Sequence, residues 1–186
     1  MRSVYAFLLT SVDGYHADAD GSTEWFTVDE EFEEYSRSQG DHIDTIVMGR
    51  VTFELMASYW PTPEAYEADP VVAGFMNDLP KVVASRTMTE HPWGPTTFVA
   101  DGLADHVREL KTAPGKDIAV FGSSSLVAEL LPTGVIDELR VIVDPVALGS
   151  GTPVLAGLAG PLPLRRTDVR SFANGHVLLT YAPTLP

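Results

Sequence analysis

A glycine that ends an apolar run and opens a helical stretch makes a junction at which a phosphate can be bound. Gly122 stands at such a junction, after Ile118-Ala119-Val120-Phe121 and before Ser123, Ser124 and Ser125, which lead on to Leu131. A helix begins with backbone N–H groups that lack partners within the helix, and a residue without a side chain lets a pyrophosphate reach them. Two other segments break in the same way. Val47-Met48-Gly49 leaves a strand into Arg50-Val51-Thr52; here Gly49 permits close approach of backbone to phosphate, while Arg50 and Thr52 supply a charge and a hydroxyl donor. Lys81-Val82-Val83-Ala84 ends on Ser85-Arg86. Together the three breaks predict a phosphate-rich cofactor laid across the ends of several strands. Each also has a plainer reading: Arg50 can pair with Glu54 one turn on, Arg86 can be a solvated strand end, and the serines can merely cap a helix.

Asp13, in Ser11-Val12-Asp13-Gly14, is the candidate for proton chemistry beside a substrate, set against the ordinary role of an Asp-Gly turn residue. Trp25 could line a pocket for a flat substrate or sit partly buried in the core. No metal site is expected. Asp18-Ala19-Asp20-Gly21 lacks the remaining ligands of a calcium loop, and the five histidines show no zinc-ligand spacing. The chain has no cysteine, which excludes disulfides, thiolate metal sites and cysteine nucleophiles. No Walker loop, nucleophile elbow or Rossmann fingerprint is found. A formal charge of −14, with only 12 Lys and Arg, argues against a nucleic-acid or anionic-membrane partner, since both require a basic footprint. In such a chain a cation at a strand end is a candidate for a local task.

The elements that must position these residues are an alternation of strands and helices over 186 residues, read as one domain, 1–186. Strands are predicted at Arg2–Thr10, Thr45–Met48, Lys81–Ala84, Thr96–Ala100, Asp117–Phe121, Glu138–Asp144, Leu164–Arg170 and His176–Tyr181. Thr27-Val28-Asp29-Glu30 predicts a capping box, with Thr27 as N-cap and Glu30 reaching back. Asp101 is expected to cap a second helix and the serines after Gly122 to open a third, with further helices after Gly49-Arg50 and over Ala65–Asn77. Asn174-Gly175 predicts a closing antiparallel hairpin. The fold class is α/β: a mixed, mostly parallel sheet of about eight strands with flanking helices. The short apolar run after Met1-Arg2 is read as the first strand of a cytoplasmic protein, and nothing approaches the roughly 18 apolar residues of a membrane span.

The order of these signals resembles the dihydrofolate reductase superfamily, in the branch that contains the reductase domain of bacterial riboflavin biosynthesis (RibD C-terminal-like proteins). The motifs that carry the resemblance are Ser11-Val12-Asp13-Gly14, Asp44 to Glu54, Pro80 to Arg86, Val120-Phe121-Gly122-Ser123, and Val135 to Leu139 leading to Asp144 to Gly151. The resemblance implies a dihydrofolate-reductase-like fold, NADPH as cofactor, and hydride transfer to a small heterocyclic or carbonyl-like substrate. It also implies a possible homodimer. Gly49, Arg50, Thr52, Ser85, Arg86, Gly122, Ser123 and Ser124 would hold the cofactor, with Ser85-Arg86 where the family holds the adenosine 2′-phosphate. Asp13, Trp25 and Asp29 would lie toward the substrate. Folate reductases carry their acid on the first helix, where Asp29, Glu30 and Glu33 stand; Glu30 is assigned to capping. The chain departs from the family in two places. Gly122-Ser123 replaces a commoner Gly-Gly, and Tyr15 stands where riboflavin reductases have a lysine able to hold a substrate phosphate. A 5-amino-6-(5-phosphoribosylamino)uracil reductase is therefore a runner-up reading, and an NADPH-binding module without turnover is another.

Overall fold

The computed structural model describes residues 1–122 and 124–184. The chain opens with β1 (Val4–Ser11), a short β2 (Tyr15–Ala17) and α1 (Glu30–Gly40), then β3 (Ile43–Gly49) and α2 (Arg50–Tyr59). Two short helices, α3 (Pro63–Ala68) and α4 (Pro70–Asp78), lead to β4 (Lys81–Ala84), β5 (Thr96–Val99), α5 (Leu103–Thr112), β6 (Asp117–Phe121) and α6 (Ser124–Leu130). The last part is all β, with β7 (Glu138–Asp144), a two-residue β8 (Thr152–Pro153), β9 (Leu164–Ser171) and β10 (Val177–Pro183).

Among the described residues eight strands form one sheet in the order β5-β4-β3-β6-β1-β7-β10-β9. The first six run parallel; β10 is antiparallel to β7 and β9 antiparallel to β10. Strands buried on both faces read as near-continuous apolar runs, and β1, β3 and β6 do so over residues 4–9, 46–48 and 118–121. Val4, Ala6 and Leu8 pack with Val47, Val120 and Val127 on one face; Tyr5, Ile46, Met48 and Phe121 meet Phe53 and Met76 on the other. α1 covers the far end of the sheet through Phe32 and Tyr35, against Ile142, Phe172 and Leu178. No described helix is long and apolar enough to cross a membrane.

Three expected helix ends move. α1 begins at Glu30 with Asp29 as N-cap, whose carboxylate accepts from the Phe32 N–H at 2.9 Å. The Thr27 box does not form because the Thr27 N–H is taken by Asp144 Oδ2, 2.8 Å away, which holds that segment extended. Asp101 gives up the cap of α5 to Gly102, in a left-handed conformation at φ 73°, and pairs instead with Arg86. The helix expected over Ala65–Asn77 is broken at Asp69-Pro70: proline cannot continue α3 but suits the first turn of α4, whose first N–H groups Asp69 caps.

β2 and β8, not expected from the sequence, form a small antiparallel ribbon that ties the segment after β7 to the end of β1. Asp13 accepts from the backbone N–H groups of Leu148 at 3.1 Å and Gly149 at 2.7 Å, and from the Ser11 hydroxyl at 2.6 Å. The Val154 N–H donates to the Gly14 carbonyl at 2.8 Å, and the Leu155 N–H to Ser124 Oγ at 2.5 Å. Leu155, at φ 57°, is a non-glycine residue in the left-handed region, held there by that bond and by packing on the core. Gly151 lies so close to the Ala17 carbonyl that no side chain fits.

Two measurable consequences follow from these fastenings. The donors to Asp13 hold its carboxyl down at about 2. Its contribution to stability is therefore complete above the ordinary carboxylate range and is lost as pH falls from about 4 toward 2. Asp13→Ala should flatten the wild-type loss of stability across that window and raise hydrogen exchange at Leu148 and Gly149; unchanged exchange there would remove the fastening role. Asp144 is buried and its Oδ2 also lies 2.9 Å from Nε2 of the fully buried His176. Asp144→Ala should cost about 1–3 kcal/mol in urea unfolding, the penalty for stranding a buried donor.

Candidate active site

Parallel pairing brings the ends of β4, β3, β6 and β1 side by side. Gly49 lies in register with Ala84, Val47 with Val120, and Phe7 with Phe121. Ser85, Arg50 and Gly122, far apart in the chain, thus each follow a neighbouring strand at one sheet edge, the edge where open α/β sheets bind ligands. α2 starts at once after Gly49, its N-cap, with no side-chain cap on its first turn. Gly122 has φ +61°, and a Cβ there would come within 2.9 Å of Thr52 Cγ2. The glycine that follows β6 and the α2 threonine therefore face each other across a gap that a side chain at 122 would fill.

Two clefts open along this edge. The larger, about 550 Å³, lies between the sheet, α1, α2 and α4. Phe7, Phe26, Phe32, Trp60 and Phe75 give it aromatic walls, Thr52 and Gly122 reach its rim, and His16, Glu33, Gln39 and Asp69 are among its polar groups. The smaller, about 230 Å³, lies past β4 and β5 and is lined by Ser85, Arg86, Asp101, Gly102 and Glu129 among others.

The residues singled out from sequence divide between these clefts and the framework. Arg50 pairs with Glu54 at 2.7 Å on the exposed face of α2. Arg86 is exposed at the smaller cleft, with its guanidinium on Asp101 at 2.9 Å. Ser85 Oγ accepts from the Met88 N–H at 2.8 Å and so shapes the turn that presents Arg86. Ser124, expected to contact a pyrophosphate, is buried and its Oγ accepts from the Leu155 N–H, which gives it a framework role. Ser123 lies outside the described residues. Asp13 borders neither cleft; its oxygens are occupied by the Leu148–Gly149 loop, and a carboxyl held near 2 is poorly matched to the proton relay expected of it. Trp25 donates its indole N–H to the Ser22 carbonyl and stands edge-on to Phe26, which is the residue that reaches the cavity. Asp29, expected toward the substrate, is occupied as the cap of α1.

Of the acids offered on the first helix, Glu33 reaches the larger cavity. Arg37 bridges it to Asp69, with Nη2 3.0 Å from Glu33 Oε2 and Nε 2.8 Å from Asp69 Oδ2. Asp69 had only the signal of an acid before a helical proline, which reads as a cap. His16 escaped notice because a lone histidine in a three-residue strand has no pattern around it; the ribbon with β8 turns it toward the cavity.

The chain matches the RibD C-terminal domain over residues 2–178. The uncharacterised protein YyaP of Bacillus subtilis (strain 168) is 30% identical over 182 residues, covering 97% of this chain and 94% of YyaP. In fold the chain is similar to a diaminohydroxyphosphoribosylaminopyrimidine deaminase/5-amino-6-(5-phosphoribosylamino)uracil reductase of Thermotoga maritima, with a TM-score of 0.71 at 15% identity, over 98% of this chain and 57% of that one. It is also similar to the dihydrofolate reductase of Enterococcus faecalis, solved with NADP(H), with a TM-score of 0.64 at 13% identity and 98% and 96% of the two chains covered. The mostly parallel sheet with one reversed strand, the row of strand-end turns and the match across nearly the whole length agree: the chain belongs to the RibD C-terminal domain family, a family of reductase domains.

Proposed function

We propose that this chain is an NADPH-dependent reductase that transfers a hydride to a small organic substrate in the larger cavity. The observation that carries the reading is the gap between Gly122 and Thr52, which any side chain at 122 would fill. Both residues border the aromatic cavity, and both belong to the row of strand ends that continues to Arg86. An extended dinucleotide suits that row, with its charged end at the smaller cleft and its reactive ring at the rim of the larger.

The residues fit such a cofactor. The uncapped N–H groups of α2 suit a pyrophosphate, Gly122 leaves room for its approach, and Arg86 can fork onto a ribose phosphate. When bound, NADPH supplies a hydride, two electrons and a proton's mass, to an electrophilic carbon of the substrate. The chain's part is positioning: the aromatic walls exclude water and hold a planar ring, while Glu33 and Asp69, tied by Arg37, accept hydrogen bonds from the substrate and fix its orientation. Glu33, held in place by Arg37 at the cavity, serves as a hydrogen-bond acceptor and as an anchor for the water that delivers the balancing proton.

NADPH should raise the melting temperature more than NADH does, because a ligand of the native state adds RT ln(1 + [L]/Kd). Arg86→Ala should weaken NADPH binding roughly ten- to hundredfold and leave NADH nearly unaffected, as expected for loss of a charge-assisted bond. Asp101→Asn should act oppositely, tightening NADPH up to about fivefold by freeing Arg86 from an exposed ion pair. Equal responses of the two nucleotides in both variants would sink the 2′-phosphate assignment. Glu33→Gln should lower kcat on an accepted substrate by about tenfold or more with the NADPH shift intact. If NADPH binds tightly but no acceptor consumes it, the protein is a binding module.

A further inference from the structure

His16 projects from β2 into the larger cavity. Its Nδ1 lies 3.1 Å from the Leu9 carbonyl oxygen. A carbonyl only accepts, so Nδ1 carries the proton and Nε2 presents its lone pair. The hydrogen bond of the His16 ring among the described residues is this one, through Nδ1, which leaves Nε2 open to the cavity. Burial, with no charged neighbour contributing, pushes the imidazole below its ordinary value and keeps it neutral near pH 7. The cavity thus offers a fixed acceptor in an aromatic wall.

The rest of the lining limits what can meet that acceptor. None of the described lining residues is lysine or arginine, while Glu33 and Asp69 contribute two carboxylates. Arg37, which bridges these, is not itself part of the lining and has its charge committed to both. A substrate phosphate would enter a low-dielectric space with two anions and no free cation, which is repulsive as well as desolvating. Tyr15 supplies no charge in compensation.

We propose that the larger cavity takes an uncharged, unphosphorylated planar ring bearing an N–H or O–H donor, and that His16 Nε2 reads that donor. The cavity is here the substrate site of the proposed reductase, so the proposal rests on that reading. It also excludes the phosphoribosyl substrates of an aminouracil reductase from this site. A donor-reading histidine selects strongly, because a ring lacking the donor leaves a desolvated acceptor unpaired.

Three fluorescent probes test this on the full chain: 1-naphthol, 1-methoxynaphthalene, which has no donor, and 1-naphthyl phosphate. Direct titration should give 1-naphthol the tightest binding, with the ether weaker by roughly three- to tenfold for one lost hydrogen bond. The phosphate should bind at least about tenfold more weakly than 1-naphthol. His16→Leu should lower the affinity for 1-naphthol to that for the ether, whose own affinity stays level. Equal or tighter binding of the phosphate, or discrimination that survives in His16→Leu, would overturn the proposal, as would failure of all three probes to bind folded wild-type protein. Should the leucine variant not fold, His16→Asn, which can still donate to Leu9 but is too short to reach the ring, carries the same comparison. NADPH thermal shifts on the same samples separate the two readings. Probe discrimination without an NADPH shift leaves the cavity assignment standing and removes the reductase; the reverse pattern does the opposite.

Discussion

Everything at the candidate site depends on the parallel hydrogen-bonding of β1 to β6 on one side and β7 on the other. β1 pairs with β6 from Val4 to Phe7 and with β7 from Tyr5 to Ser11. Parallel neighbours cannot be joined by tight turns, so each connection must leave the strand end and travel back along the sheet before the next strand begins, as a helix after β3 and β6 and as a loop between β4 and β5. The parallel strands β4, β3, β6 and β1 therefore release their chains at the same edge. The apolar runs that allow β1, β3 and β6 to be buried on both faces thus also determine that Gly49, Ser85 and Gly122 come together, although 36 or more residues separate them in sequence.

Charge is distributed sparingly around this edge. With 26 acidic residues against 12 Lys and Arg, the cations that could serve a phosphate are already engaged: Arg50 with Glu54, Arg86 with Asp101, and Arg37 between Glu33 and Asp69. Lys81 is buried, donating to the Asn77 and Leu79 carbonyls beside Trp93, and is fully committed to the core. Binding an anionic cofactor at the smaller cleft is consequently an exchange, in which a phosphate must displace a carboxylate. For an exposed pair the displacement costs little. Among the described lining residues of the larger cavity there is no Lys or Arg to exchange, which makes the two clefts chemically unlike although they open along the same edge of the sheet.

The segment from Leu148 to Leu155 is a second constraint, imposed from outside the sheet. Asp13 holds one end, Ser124 the other, and the β2–β8 ribbon lies between. Two residues that read as site chemistry are spent on keeping this loop in place. The ribbon they secure is the one that carries His16, so their effect on the cavity is indirect and geometric.

Most of the fold was legible in the sequence. Apolar runs bounded by Gly, Pro or Asp marked β4, β6 and β7 at their observed limits, and Asn174-Gly175 marked the closing hairpin, because strand burial and turn chemistry are local demands. The strand-end turns were legible for the same reason, as Gly122 at positive φ has a local signature. Side-chain partners were not. Asp13 and Ser124 each offered a plausible chemistry by type, but which donor a carboxylate or hydroxyl satisfies depends here on backbone brought from far along the chain. Thr27 lost its cap to Asp144, 117 residues away, and Ser124 was taken by Leu155. His16, Glu33 and Asp69 became one cavity's polar groups only when β2, α1 and the break before α4 were packed together. The sequence by itself determined where strands stop and phosphate-sized gaps open, since those follow from local pattern; the tertiary structure alone decided which polar groups remain free to meet a ligand, since hydrogen bonds and ion pairs are satisfied by proximity in space.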